Sequence, residues 1–174
     1  MSKAVLISIR PKWCELIAGG EKTIEVRKTR PNHTTPFKCY IYCTKDSEPF
    51  MLRTFHSPVA DAYRATSGGE IIGEFVCDRI FQITVEEPGP FSEERGSGYD
   101  EKYSSLGYHD CLTDEQFDAY LNSKLGYGWH ISGLKIYDQP KPLSEFRKPI
   151  EALLGWNSEL DRPPQSWCYV EELT

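Results

Sequence analysis

The run from Lys3 to Lys28 constrains the fold most, because its hydrophobic period changes twice within a short stretch. In AVLISIR the residues alternate, Val5, Ile7 and Ile9 pointing one way and Leu6, Ser8 and Arg10 the other, as a strand requires. Pro11 suits the first turn of a helix, and Trp13, Leu16 and Ile17 follow at helical spacing. Gly19-Gly20 closes that helix, since glycine takes a left-handed cap without a Cβ clash. KTIEVRK then returns to period two. The unit is strand, short helix, glycine turn, strand.

The remainder extends this pattern. KCYIYCT, EIIGEFVCD, RIFQITV, GWHISGLKIYDQ and SWCYVEEL read as strands. Ser57-Pro58 has the form of a helix start, predicting a helix over VADAYRAT that ends at Gly68-Gly69. Thr113 with Gln116 forms a capping box for a helix through Phe117, Tyr120 and Leu121, and KPLSEF predicts a short helix after proline. Strands outnumber helices, and neither a βαβ rhythm nor a repeat is visible. The expected class is α+β, a mostly antiparallel, barrel-like sheet with flanking short helices. Val5–Ile9 and Trp167–Val170 are expected to be buried strands that join the start of the barrel to its end. The 174 residues fit a single domain, 1–174. Residues 86–110, charged and rich in glycine, predict a mobile surface insertion.

Charge and cysteine usage exclude several function classes. Lys and Arg number 20 against 26 Asp and Glu, a net charge of −6. A broad grip on a nucleic-acid backbone needs a basic surface, so any such binding here is local, a small pocket for one flipped or single-stranded base. No apolar run approaches a membrane span, and the N-terminal stretch is too short for a secretory signal, which predicts a cytoplasmic chain and no membrane partner. The six cysteines are therefore read as free thiols. They contain no C-x-x-C pair, and the four histidines show no ligand spacing. No metal is expected. No P-loop, Rossmann glycine pattern or G-x-S-x-G is present, and no cofactor is implied.

Three groups carry candidate chemistry. Within Gly20–Lys28, period two sets Thr23, Glu25 and Arg27 on one face and Lys22 and Lys28 on the other. Glu25 and Arg27 side by side either read the donor–acceptor edge of a base or form a salt-bridged strand face in solvent. Glu74, expected to share a face with Ile72 and Val76, must find a partner: paired with Lys22 or Arg27 it is structural, and in a dry cleft it is a general base or acid. Gly73 beside it admits a ligand or another backbone. Third, Trp129 and Trp167, in YGWH and PPQSW, are either core anchors or stacking platforms for a base, and His130 is either structural or catalytic.

At these residues the sequence resembles the ASCH domain, a branch of the PUA-like superfamily. The likeness runs from VLISIRPKWCELIAGGEKTIEVRKTRP, with its G-x-K-x-x-E-x-R core at Gly20, Lys22, Glu25 and Arg27, through YIYCTK, IIGEFVCDRI and YGWHIS to PPQSWCYVEEL. It covers most of the chain and is similar to small bacterial and phage members. The resemblance implies a PUA-like β-barrel with a cleft that binds RNA or a modified nucleotide. On that reading the binding residues are Arg10, Trp13, Lys22, Thr23, Glu25, Arg27, Lys28, Lys45, Trp129, His130, Gln165 and Trp167. One branch hydrolyses N4-acetylcytidine with a Lys–Thr–Glu set. The lysine falls on Lys22 and the glutamate on Glu74. The position of the threonine holds Glu25, with Thr23 two residues earlier on the same face. As an enzyme, the chain would be an amidohydrolase acting on an N4-acylated cytidine, with Lys22, Glu25 and Glu74 activating water. A third reading, a protein-interaction domain using the 86–110 insertion, stays open.

Overall fold

The computed structural model describes residues 2–84, 109–122, 125–149 and 159–173. Strand β1 (Lys3–Ile9) leads through helix α1 (Pro11–Gly19) to β2 (Ile24–Arg27) and then β3 (Phe37–Cys43). β4 (Phe50–Ser57) and β5 (Ala60–Thr66) precede β6 (Glu70–Cys77) and β7 (Ile80–Thr84). Helix α2 (Asp114–Leu121), β8 (Leu125–His130), β9 (Ser132–Lys141), a 3₁₀ turn at Leu143–Glu145 and β10 (Trp167–Glu171) complete the described chain. Residues 86–108 of the expected insertion lie outside the described residues.

The strands form a five-stranded sheet ordered β10-β1-β3-β6-β9, a three-stranded sheet β2-β8-β7, and the hairpin β4-β5. All pairings are antiparallel except β1 with β3, whose crossover carries α1 and β2. This is the expected strand-rich α+β architecture. The sheets differ from the expectation in remaining separate rather than closing into a barrel. β1 does pair with β10, joining the first strand to the last, from Lys3 with Glu171 to Ile7 with Trp167.

The large sheet is covered on both faces. Val5, Ile7, Ile9, Cys39, Ile41 and Phe75 enter one apolar cluster with Cys14, Ile17 and Trp129. Ala4, Leu6, Tyr40, Ile71 and Val170 enter a second with Phe146 and Leu160. Central strands buried on two faces read as continuous apolar runs, which is why AVLI and CYIYC contain so few polar residues. β10 is less enclosed than expected: Val170 is fully buried, while Trp167, Cys168 and Tyr169 are half-buried.

Two expectations fail for physical reasons. Ser57-Pro58 opens a hairpin turn, not a helix, and VADAYRAT is the return strand β5. The Ser57 hydroxyl accepts from the N–H groups of Val59 (3.4 Å) and Ala60 (3.1 Å), the same bonds that cap a helix. Along β6, Ile41 opposes Gly73 and Tyr42 opposes Ile71, so Ile72 is an extra, bulged residue. The bulge sends Ile72 into the first cluster and turns Glu74, opposite Tyr40, to the other face of the sheet. Gly73 does admit a close approach, and it is by backbone: a Cβ there would stand 2.4 Å from the Lys135 carbonyl oxygen of β9.

All six cysteines are free, as read from the sequence. Burial pushes the Cys77 thiol up to about 12 and the Cys168 thiol to about 11, from 9.0. Because the folded thiols ionise later than the unfolded ones, their contribution to stability is complete below pH 9 and is lost as pH rises above it. At pH 8 those shifts lower the thiolate fraction about 1,000-fold at Cys77 and about 100-fold at Cys168. Peptide-resolved iodoacetamide labelling is expected to be slower in the native protein than in the urea-unfolded chain by at least those factors. Equal rates at Cys77 would contradict its placement.

Candidate functional site

α1 ends as its sequence predicts. Gly20 takes φ 78°, its N–H donates to the Ile17 carbonyl (2.9 Å), and the Glu21 N–H donates to the Leu16 carbonyl (2.9 Å). That reversal delivers Lys22 and β2 to the edge of the first apolar cluster, where three charges meet. Arg27 Nη2 lies 2.8 Å from Glu25 Oε1, and Lys22 Nζ lies 3.4 Å from Glu25 Oε2. Lys22, Glu25 and Arg27 are 3%, 6% and 7% exposed. They are a buried triad, not a salt-bridged face in solvent. The i,i+3 spacing of Lys22 and Glu25 brings them together because Lys22 precedes the strand, where period two does not apply.

Each cation is further engaged. Lys22 Nζ donates to the carbonyls of Ile24 (2.7 Å) and Asp110 (2.5 Å), and stands 5.2 Å from the Trp13 ring centre. Arg27 Nη2 donates to the Ser8 carbonyl (2.7 Å), and Nη1 reaches the Ser166 hydroxyl at 3.4 Å. Ser8 is itself tied to the PPQS loop, its hydroxyl donating to the Pro164 carbonyl (2.6 Å) and its N–H to the Ser166 carbonyl (2.9 Å). Burial pushes the Tyr120 phenol of α2 upward, against the charge of Arg27 and a hydrogen bond to it. Burial likewise raises Cys14 and Cys39 well above 9.0, although the Arg27 charge opposes it at both.

Three residues of this site were not singled out in the sequence. Asp110, Tyr120 and Ser166 reach the triad from elements far away along the chain, Asp110 being 88 positions from Lys22. Asp110 is 9% exposed, and its Oδ1 accepts from the Leu112 N–H at 2.9 Å. No local signal marks it beyond an aspartate just before a capping box. That box does form: the Gln116 N–H donates to Thr113 Oγ1 (3.3 Å), and the Thr113 N–H donates to Gln116 Oε1 (3.2 Å).

The other expected residues divide. Trp13 is half-buried against Lys22, with the ammonium of Lys12 also 4.8 Å from its ring centre. Arg10, Lys28, Lys45 and Gln165 are exposed. Arg10 occupies the N-cap position of α1 without a side-chain capping bond and is near enough for its charge to act on Tyr120, while Lys28 lies 5.5 Å from the Tyr120 ring centre. Lys45 follows β3 at the same end of the sheet as Arg10, its stem lying against Gly69. The Thr23 hydroxyl is occupied, accepting from the His109 N–H at 2.8 Å.

Four expected residues do not join the polar contacts of the triad. Trp129 sits opposite Glu25 across the β2–β8 pair but is wholly buried, edge-on to Phe37 with ring centres 6.0 Å apart, and is a core anchor rather than a stacking platform. Trp167 lies against Trp129 and Tyr169, and its indole donates to Thr29 Oγ1 at 3.0 Å. His130 Nδ1 is paired with Asp78 at 2.6 Å. Glu74 accepts from the Tyr137 hydroxyl and lies 3.7 Å from Lys38, whose ammonium also meets Glu172 at 3.1 Å. The expected convergence of Glu74 with Lys22, Glu25 and Arg27 does not occur, because the bulge at Ile72 reverses its face.

Among the described residues no group of three or more His, Cys, Asp or Glu is placed to hold a metal ion. No helix among them is long and apolar enough to cross a membrane.

No protein-family model matches the sequence, and no curated protein matches it. Solved structures do. The ASCH protein of Zymomonas mobilis is 19% identical, with a TM-score of 0.57 over 97% of this chain and 88% of that one. A tyrosine-to-phenylalanine variant of that protein gives 0.58 over 98% and 92%, and a serine-to-alanine variant 0.58 over 97% and 89%. The chain has the ASCH fold. The likeness spans nearly its whole length and carries the architecture, while the roles of its residues rest on the geometry above. Within this ASCH fold the G-x-K-x-x-E-x-R segment is the part that turns from α1 into β2 and holds the charged triad.

Proposed function

We propose that the chain binds RNA or a modified nucleotide at the Lys22–Glu25–Arg27 site. The observation that carries this reading is the buried triad itself, set between half-buried Trp13 and the exposed cations Arg10, Lys12 and Lys28. Sequestering two cations and one carboxylate costs several kcal/mol per ion, which their mutual attraction and hydrogen bonds must offset, so stability alone is a weak reason for such a triad. A planar guanidinium and a carboxylate side by side suit the edge of a base, and the outer cations suit its phosphate. An acidic chain with this focus of positive charge favours one or a few nucleotides over a long duplex.

Hydrolysis of an N4-acylated cytidine is the second reading. One observation favours it: a carboxylate does flank Lys22, although it belongs to Glu25 rather than Glu74. Incubation with N4-acetylcytidine and mass-spectrometric detection of released cytidine tests it directly.

For binding, the rim is the informative place to cut, because Arg10 and Lys28 are exposed and their loss leaves the core intact. The double variant Arg10→Ala, Lys28→Ala is expected to weaken a fluorescent single-stranded RNA about tenfold at low salt. It should also flatten the salt dependence by about two units of slope at most. Unchanged affinity and slope in this variant would remove the site from the proposal.

A further inference from the structure

Among the described residues, four buried polar atoms on or beside the triad have no hydrogen-bond partner: Glu25 Oε2, Arg27 Nε, Asp110 Oδ2, and Nε1 of Trp129, which sits opposite Glu25 across β2 and β8. Each belongs to a side chain more than nine-tenths buried. Oε2 does feel the Lys22 ammonium at 3.4 Å, but without an aligned hydrogen bond. Buried polar atoms are normally satisfied, and an orphan costs about 1–3 kcal/mol. The Trp129 indole lies within the apolar cluster, so the three on charged side chains describe the ligand that would complete them: two donors facing the carboxylate oxygens and one acceptor facing the guanidinium.

Arg27 touches Glu25, Glu25 touches Lys22, and Lys22 holds the backbone carbonyl of Asp110, which brings the three side chains to one place. The complement of one donor and two acceptors is one acceptor and two donors. Among the four bases only guanine presents that set on one edge, as O6, N1–H and the N2 amine. Cytosine offers one donor and two acceptors, uracil a donor between two acceptors, and adenine one donor beside one acceptor. We infer that this site selects guanine, with O6 on Arg27 Nε, N1–H on Glu25 Oε2 and the N2 amine on Asp110 Oδ2. The inference rests on the nucleotide-binding reading above and names the base. Tyr120, 37% exposed and hydrogen-bonded to Arg27, borders the guanidinium, and Trp13 borders the Lys22 ammonium at 5.2 Å.

The test is equilibrium binding of guanosine, inosine, adenosine, cytidine, uridine and N4-acetylcytidine to the intact protein. Guanosine is expected to bind at least about tenfold more tightly than the other unmodified bases, because a site built for hydrogen bonds rejects analogues that leave its buried groups unpaired. Inosine, which lacks only the N2 amine, should fall between. Asp110→Asn keeps the size of the side chain and the backbone bond to Lys22 but removes the second acceptor, so guanosine and inosine should then bind alike. Equal affinity for all nucleosides would overturn the selection of guanine and leave the binding reading standing. Tighter binding of N4-acetylcytidine than of guanosine would overturn the selection as well. Unreduced preference for guanosine over inosine in Asp110→Asn would overturn the assignment of the N2 amine. Failure to bind every nucleoside and single-stranded RNA would overturn the binding reading itself.

Discussion

Removal of residues 165–174 is expected to abolish cooperative folding. β10 supplies one edge of the five-stranded sheet, pairing with β1 over five registers, and β1 is the strand buried on both faces. The segment also ties distant parts together. Ser166 accepts the Ser8 N–H, the Glu171 N–H donates to Arg147, and the Leu173 N–H donates to the Tyr40 hydroxyl at 2.9 Å. Without it the unpaired donors and acceptors of β1 and the apolar surface around Leu6 and Tyr40 face water. Losing the fully buried Val170 and the half-buried Trp167 and Tyr169 alone costs several kcal/mol. A small domain has about 5–15 kcal/mol in total, so the truncated chain should give no sigmoidal thermal transition by circular dichroism. A cooperative melt in the truncated chain would show that the sheet stands without this edge.

How much of this was legible in the sequence depended on how local each signal was. α1 was readable at both ends because Pro11 and Gly20 act through their own backbone geometry. The box at Thr113 and Gln116 was readable for the same reason. Ser57-Pro58 misled because a serine hydroxyl accepting N–H groups two and three residues on serves a turn as well as a helix start. Counting by twos worked along β1 and failed across Ile72, where one extra residue shifts every later side chain to the opposite face. That single residue displaced Glu74 from the candidate site.

The site divides along the same line. Lys22, Glu25 and Arg27 sit within six positions of one another, so their contact was a question of geometry over one turn and one strand. Asp110, Tyr120 and Ser166 join them only because the three-stranded sheet, α2 and the loop before β10 are folded against the same place. Such contacts leave no mark in spacing. Trp129 and Trp167 were ambiguous for a different reason. A tryptophan at the start of a strand has the same sequence context whether its ring faces the core or a ligand, and here the core takes Trp129 entirely.

Glu25→Ala is expected to be among the most destabilising single substitutions in the chain. It leaves the Lys22 ammonium and the Arg27 guanidinium in one buried place with no carboxylate between them. Breaking a buried ion pair by removing one partner costs about 3–5 kcal/mol, and here one residue serves two pairs. Lys22→Met alone and Arg27→Met alone should cost less, since each leaves Glu25 one cation. The triple variant Lys22→Met, Glu25→Leu, Arg27→Met removes every charge at similar volume, and it should recover most of the stability lost in Glu25→Ala, because apolar replacement of a buried charged group is often neutral or better. Urea denaturation of the four variants separates the outcomes. If the triple variant is as unstable as Glu25→Ala, the triad is held for the fold. If it is as stable as the parent but no longer binds nucleosides or single-stranded RNA, the charges are kept for the ligand, and the stability they forgo is what the site costs the protein.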